Sequence, residues 1–388
     1  MNEKGYFRIP RIWLILAIIA IVIVVCIFIG VMISNNKEEP KNEVQNISET
    51  IDNIVSENKV VDEIAKDALD KIEVNKIAEK NCTIDGRIPC FYNPVIPTGF
   101  RAITNEQDST IDENAKWGVY NAYLYGLVIE DENKNQFVWI PVENMEIFKT
   151  TDWQKNKPKE TIDSTYIEPI AQEKDEYQKM CQKVKKYGGF YVGRYETGDI
   201  TATSERAEIK NSDDIGIRKY LNVYNYVPFK ISNINKREIT GAQELAVNFG
   251  KNNKYETVTT SVVYGTQWDS ILRFIASDEN NVNDSIKWGN YSSSQLDYTD
   301  INKNTYQKKS GEVRLLKAGA SEQTKAKNIY DLAGNAYEWT TESSGTDVRI
   351  VRGGSYVVTI GQLAASRYAY NYNTANNAIG FRISFYID

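Results

Sequence analysis

The sequence predicts an α+β extracytoplasmic head of short strands and long loops, preceded by one transmembrane helix and a helical stalk. Three observations predict it. An uncharged, apolar run extends from Ile12 to Ile33, a charged stretch over 41–80 contains neither Gly nor Pro, and beyond it short apolar alternations are punctuated by glycines. At 388 residues the chain is long enough for two or three units. These fall at 1–35 (cytoplasmic N-terminus and membrane helix), 36–81 (stalk) and 82–388 (head).

Composition excludes several function classes. The net charge is -6, from 46 basic and 52 acidic side chains, so nucleic acid is not an expected partner. There is no histidine. Ser-His-Asp or Cys-His nucleophiles, histidine-ligated zinc or iron and imidazole proton transfer are therefore excluded. Charge is uneven: residues 1–35 carry +2, 36–80 carry -5, and the remainder carries -3.

The 22 residues from Ile12 to Ile33 span about 33 Å as a helix, enough for a bilayer core of about 30 Å. Lys4, Arg8 and Arg11 precede the run, and Lys37, Glu38 and Glu39 follow it. The excess of basic residues before it places the N-terminus in the cytoplasm and residues 34–388 outside the cell membrane. No A-x-A cleavage site follows, which argues against a removed signal peptide. Lys4-Gly5-Tyr6 and the apolar run after it resemble a type IV prepilin. The resemblance fails where pilins carry Glu, because this chain reads Phe7-Arg8-Ile9-Pro10-Arg11.

In the stalk, Val44, Ile47, Ile51, Ile54, Asn58, Val61, Ala65, Ala68, Ile72 and Asn75 keep an a/d heptad register, which suits a homo-oligomeric coiled coil. Val55, Val60, Ile64, Leu69, Val74 and Ile77 widen the apolar band, so a single amphipathic helix fits as well. Cys82 and Cys90 bracket a short loop, either as a disulfide at the entry to the head or as two thiols. Cys181 has no partner by spacing and reads as an inert, partly buried thiol.

In the head, Tyr125–Glu130 and Gln136–Val142 flank Asp131-Glu-Asn-Lys-Asn135 as a hairpin, and Gly188–Gly198 reads as a glycine-bounded strand. Trp268, Ile271, Leu272 and Ile275 share one helical face. Residues 277–327 carry little regular pattern, and no internal repeat is evident.

The specific signal lies in the last hundred residues. Asn328-Ile-Tyr-Asp-Leu-Ala-Gly-Asn-Ala-Tyr-Glu-Trp-Thr340 is followed by Val351-Arg-Gly-Gly-Ser-Tyr356, Ala365-Ser-Arg367 and Gly380-Phe-Arg382. In order and spacing these resemble the formylglycine-generating enzyme (sulfatase-modifying factor) family, which has a C-type-lectin-like fold. The resemblance is best over 180–388. Asp331 and Glu338, with the Gly334 and Ala336 carbonyls between them, alternate in a way that suits calcium. The resemblance implies a structural calcium on those four residues, and a turn with capping and salt-bridged carboxylates is the other reading. Arg352 and Arg382 read as scaffold ion pairs, and Trp339 and Phe381 as core.

The resemblance also implies what is missing. The family oxidase places its copper-binding cysteines where this chain has Val358 and Leu363, and its iron-dependent relatives use histidines. The family's known redox chemistry therefore has no ligands here. Tyr368, Tyr370, Asn371, Tyr372, Asn373, Asn376 and Asn377 form a Tyr/Asn-rich patch of the composition that paratopes use, and the segment resembles the variable region of retroelement-diversified receptors. Two readings stay open. One is a non-catalytic cell-surface binder of a protein, peptide or glycan. The other is a family enzyme using unrecognised residues.

Overall fold

The structure is a computed structural model. It describes residues 92–388 except 155–156, 160–167, 169–170, 203–213, 235–236, 277–281, 283 and 360–362. The expected membrane span, the stalk and the Cys82–Cys90 pair lie outside these residues. Among the described residues no helix is long and apolar enough to cross a membrane.

The main sheet has six antiparallel strands drawn from both ends of the head. In chain order they are β1 (Phe100–Ile103), β2 (Val128–Asp131), β3 (Gln136–Pro141), β4 (Gly189–Gly193), β5 (Val258–Val262) and β12 (Ile383–Ile387), and the spatial order is β1-β2-β3-β4-β12-β5. Alternation along β3 explains its buried place. Phe137 and Trp139 point into one hydrophobic core, and Val138 and Ile140 into a second. β4 divides likewise, with Tyr191 in the first core and Phe190 and Val192 in the second.

Helices cover both faces. α1 (Lys174–Tyr187) contributes Met180 and Val184 to the second core, and α2 (Ala242–Asn252) contributes Leu245, Ala246 and Phe249 to the first. α1 has Asp175 and Glu176 in its first turn and Lys185 and Lys186 in its last, matching the helix dipole. Gly188, at φ 75, ends it and turns the chain into β4. α3 (Gly265–Ile275) buries Trp268, Ile271, Leu272 and Ile275 in the second core, as their spacing predicts. Its first amides are met from a distant loop. The Glu168 carboxylate accepts from the Gly265 N–H at 2.8 Å and the Thr266 N–H at 2.6 Å.

The hairpin expected from Tyr125–Glu130 and Gln136–Val142 forms between β2 and β3, over 128–141. A second hairpin, β6 (Leu296–Thr299) with β7 (Thr305–Lys308), lies in the stretch where the sequence showed little pattern. Both turns read Asp-x-Asn-Lys-Asn. Asp131 Oδ1 accepts from the Asn135 N–H at 2.7 Å and Asp300 Oδ1 from the Asn304 N–H at 2.9 Å. The lysines between them take φ of 68° and 65°. A smaller sheet packs on the first core. Its strands are β8 (Tyr337–Trp339), β9 (Val348–Arg352), β10 (Tyr368–Asn371) and β11 (Ile379–Phe381), in the spatial order β10-β9-β8-β11. Trp339, Val351, Ile379 and Phe381 carry it into the first core.

Candidate functional site

The Asp331–Glu338 turn is tightly wound. Asp331, Gly334 and Asn335 have φ of 60°, 71° and 56°. Only glycine fits at 334, because a Cβ there would lie 2.4 Å from the Asn290 carbonyl oxygen. Asp331 accepts from the Thr324 hydroxyl at 2.6 Å and the Gly319 N–H at 2.7 Å. Glu338 gives both oxygens to Arg382, the shortest contact being 2.6 Å. Glu196, brought by the segment after β4, accepts from the Ala336 N–H at 2.9 Å and from the Asn335 side chain. Burial raises the Glu196 carboxyl well above its ordinary range, with Asp331 and Glu338 adding to the effect. Three buried carboxylates thus lie near one guanidinium, and Glu338 alone pairs with it. Among the described residues no three His, Cys, Asp or Glu side chains are grouped to hold a metal ion. Glu196 was not expected here, because nothing in its local sequence points across to residue 336.

Val358 and Leu363, where the resemblance leads one to expect cysteines, are both half-buried. Val358 packs against both cores, and its carbonyl accepts from the Ser292 N–H at 2.9 Å and hydroxyl at 3.0 Å. These side chains offer methyl groups and no metal ligand. Cys181 is a free, half-buried thiol on α1, and burial pushes it up to about 11, which suppresses the reactive thiolate.

The Tyr/Asn segment forms the edge of the smaller sheet. Tyr368, Asn371, Asn373 and Asn377 are exposed, and Tyr370, Tyr372 and Asn376 are half-buried. Tyr368 and Tyr370 stand on one face of β10 over an aromatic shelf from β8. Tyr368 stacks on Tyr337 with centroids 6.2 Å apart, and Tyr370 meets Trp339 edge-on at 6.4 Å. Main-chain bonds tie down the loop after β10. Tyr372 N–H donates to the Asp347 carbonyl at 2.8 Å, and the Tyr372 carbonyl accepts from the Phe229 N–H at 2.7 Å. The structure therefore gathers Tyr368, Tyr370, Asn371, Tyr372 and Asn373 on one edge, with Asn376 and Asn377 on the return toward β11.

On the opposite face of the smaller sheet from Tyr368 and Tyr370, Arg352 enters a closed square of charge. Arg352 meets Asp269 at 2.7 Å and Glu342 at 3.2 Å, and Arg367 meets the same two carboxylates at 2.6 Å each. Arg352 and Arg382 thus act as scaffold ion pairs, as expected, and Trp339 and Phe381 are fully buried. Asp269, Glu342 and Arg367 were missed as partners. Arg367 lies inside the Ala-Ser-Arg motif and Asp269 follows Trp268 on the expected helix, and that is the signal that could have found them.

The motifs, their order and the turn geometry now stand together. Residues 274–385 match the sulfatase-modifying factor enzyme 1-like domain. This sulfatase-modifying-factor-like segment holds the Asp331–Glu338 turn, Val358, Leu363 and the Tyr/Asn edge. The main sheet reaches well outside it, to Phe100. No curated protein matches the chain in sequence. Among solved structures, PvdO from Pseudomonas aeruginosa is 11% identical with a TM-score of 0.34, covering 67% of this chain and 97% of that one. CarF is 14% identical with a TM-score of 0.33, covering 52% and 87%. Treponema denticola variable protein 1 is 12% identical with a TM-score of 0.29, covering 51% and 84%.

Proposed function

We propose that the head is a non-catalytic binding module on a lectin-like scaffold, carried outside the cell membrane by the N-terminal apolar run and the stalk. The observation that carries this reading is the Tyr/Asn edge: Tyr368 and Asn371 are exposed on an edge strand, and Tyr368 and Tyr370 are seated on buried aromatics. A rigid floor under adaptable Tyr and Asn side chains is what a recognition surface needs. The ligand class is a protein, peptide or glycan.

Calcium belongs to the same proposal. Its support is the charge balance: Glu196, Asp331 and Glu338 are buried near Arg382, and Arg382 pairs with Glu338 alone. With Glu338 given to Arg382, an ion would rest on Asp331 and the Gly334 and Ala336 carbonyls, and its role would be structural. EDTA is expected to lower the melting temperature of the full chain and calcium to restore it. Equal melts with EDTA and calcium would remove the ion from the proposal.

The binding reading is tested by probing glycan and peptide arrays with the full chain in detergent. Tyr368→Ala and Asn371→Ala are expected to abolish capture while leaving the melt unchanged. Oxidation of a cysteine in a sulfatase-type peptide by the purified chain would overturn it in favour of an enzyme.

A further inference from the structure

Arg194, Arg352, Arg367 and Arg382 have buried or nearly buried side chains, and each places all three nitrogens on acceptors. Arg349 does not. It is 2% exposed, and its Nη2 donates to Glu173 at 2.7 Å, but Nε and Nη1 are buried and meet no acceptor. A buried donor with no acceptor costs about 1–3 kcal/mol, so this arrangement calls for an explanation.

The surroundings supply one. Arg349 sits on β9 directly opposite Tyr370 on β10, so the two side chains share a sheet face. Its guanidinium lies 4.7 Å from the centroid of the Phe229 ring. The next residue, Lys230, reaches back to Glu173 at 3.9 Å with its side chain 44% exposed. One carboxylate therefore serves two cations, and the chain Arg349–Glu173–Lys230 runs from the interior to the surface beside Tyr372. Two further acids act on this group at longer range. Glu168 is committed to the start of α3 and to the hydroxyls of Thr266 and Thr341, and Glu176 is exposed on α1.

We propose that Arg349 and Lys230 form an anion subsite at the end of the Tyr/Asn edge, and that it takes a carboxylate of the ligand. The inference deepens the binding reading above and rests on it. The carboxylate pairs with the exposed Lys230 and, as that side chain leaves Glu173, accepts from the unmet Arg349 nitrogens, while the tyrosines hold the apolar remainder. Charge-assisted bonds to a shielded guanidinium are strong and orient what they hold.

Acetate serves as the probe in thermal melts of the full chain. Acetamide is its neutral isostere, and chloride and sulfate are matched for ionic strength. Acetate at ten times its Kd is expected to raise the melting temperature by about 2–4 °C over chloride, with no effect of acetamide. Lys230→Met, at an exposed position that leaves the fold intact, should weaken acetate binding at least about threefold, and Arg349→Lys should abolish it. Equal effects of acetate and acetamide, or an acetate effect unchanged in Lys230→Met, would overturn the subsite. Sulfate exceeding acetate would overturn the carboxylate assignment. The two readings fail separately. Array capture lost in Tyr368→Ala without any acetate effect keeps the binding surface and removes the subsite. An acetate effect with no ligand captured at the Tyr/Asn edge removes the binding reading, and with it the subsite's role.

Discussion

Two arginines three residues apart on β9 are used in opposite ways. Arg352 is fully buried, with every nitrogen on an acceptor: Ser366 O, Glu342, Asp269 and Ala365 O. Arg349 is buried almost as well, yet only Nη2 is bound. One strand thus carries a closed network at the end toward the core and an incomplete one at the end toward the Tyr/Asn edge. A fold that satisfies Arg194, Arg352, Arg367 and Arg382 and leaves Arg349 short separates what holds it together from what it presents.

Substitutions can break that comparison. The largest effect is expected for Arg352→Met, which leaves Asp269 and Glu342 sharing Arg367. It should cost about 3–5 kcal/mol, read as a fall in the urea midpoint. Arg349→Met leaves Glu173 with Lys230 and removes two unmet donors, so it should cost less than half as much. Equal losses would mean that both arginines are scaffold. Gly334→Ala should cost about 2 kcal/mol or more by the same measurement, since φ is +71° and the new Cβ meets the Asn290 backbone.

A smaller effect tests the rule that closed networks stabilise. Burial alone would raise the Asp108 carboxyl, but Arg194 at 2.7 Å outweighs it and holds the group down at about 2. A depressed carboxyl contributes stability above its unfolded value of 3.8, lost as pH falls through about 2. About 2 kcal/mol should therefore disappear between pH 4 and pH 2 in acid titration of the native chain, and Asp108→Asn should flatten that part of the curve. The smallest change in stability, under about 0.5 kcal/mol, is expected for Tyr368→Ala, which is 43% exposed. That variant sharpens the comparison, because its effect should fall on ligand capture alone.

What was legible in the sequence was local. The β2–β3 hairpin showed in its alternation and its turn, and α3 in its helical spacing, because the residues that make each element are neighbours in the chain. The β6–β7 hairpin was hidden for a physical reason. Only Leu296 and Lys308 are buried along it, so no apolar alternation marks it. The Tyr/Asn edge was visible as composition, but its aromatic shelf was not, since Tyr337 and Trp339 come from another strand. The charge square and the Arg349 group escaped for the same reason. Asp269 and Arg367 are 98 positions apart, and Glu173 and Arg349 are 176 apart.

The place of β12 has a consequence for synthesis. Residues 383–387 are inserted between β4 and β5, so the main sheet is split until they arrive. About 190 residues separate β4 from β12, and at roughly 5–20 residues per second the ribosome needs about 10–40 s to supply them. Through that interval β4 exposes an unpaired edge, and β5 waits with it once made. The head therefore depends on being shielded from neighbouring chains while it is made, and loss of its last strand should leave the longest-waiting edges open to aggregation.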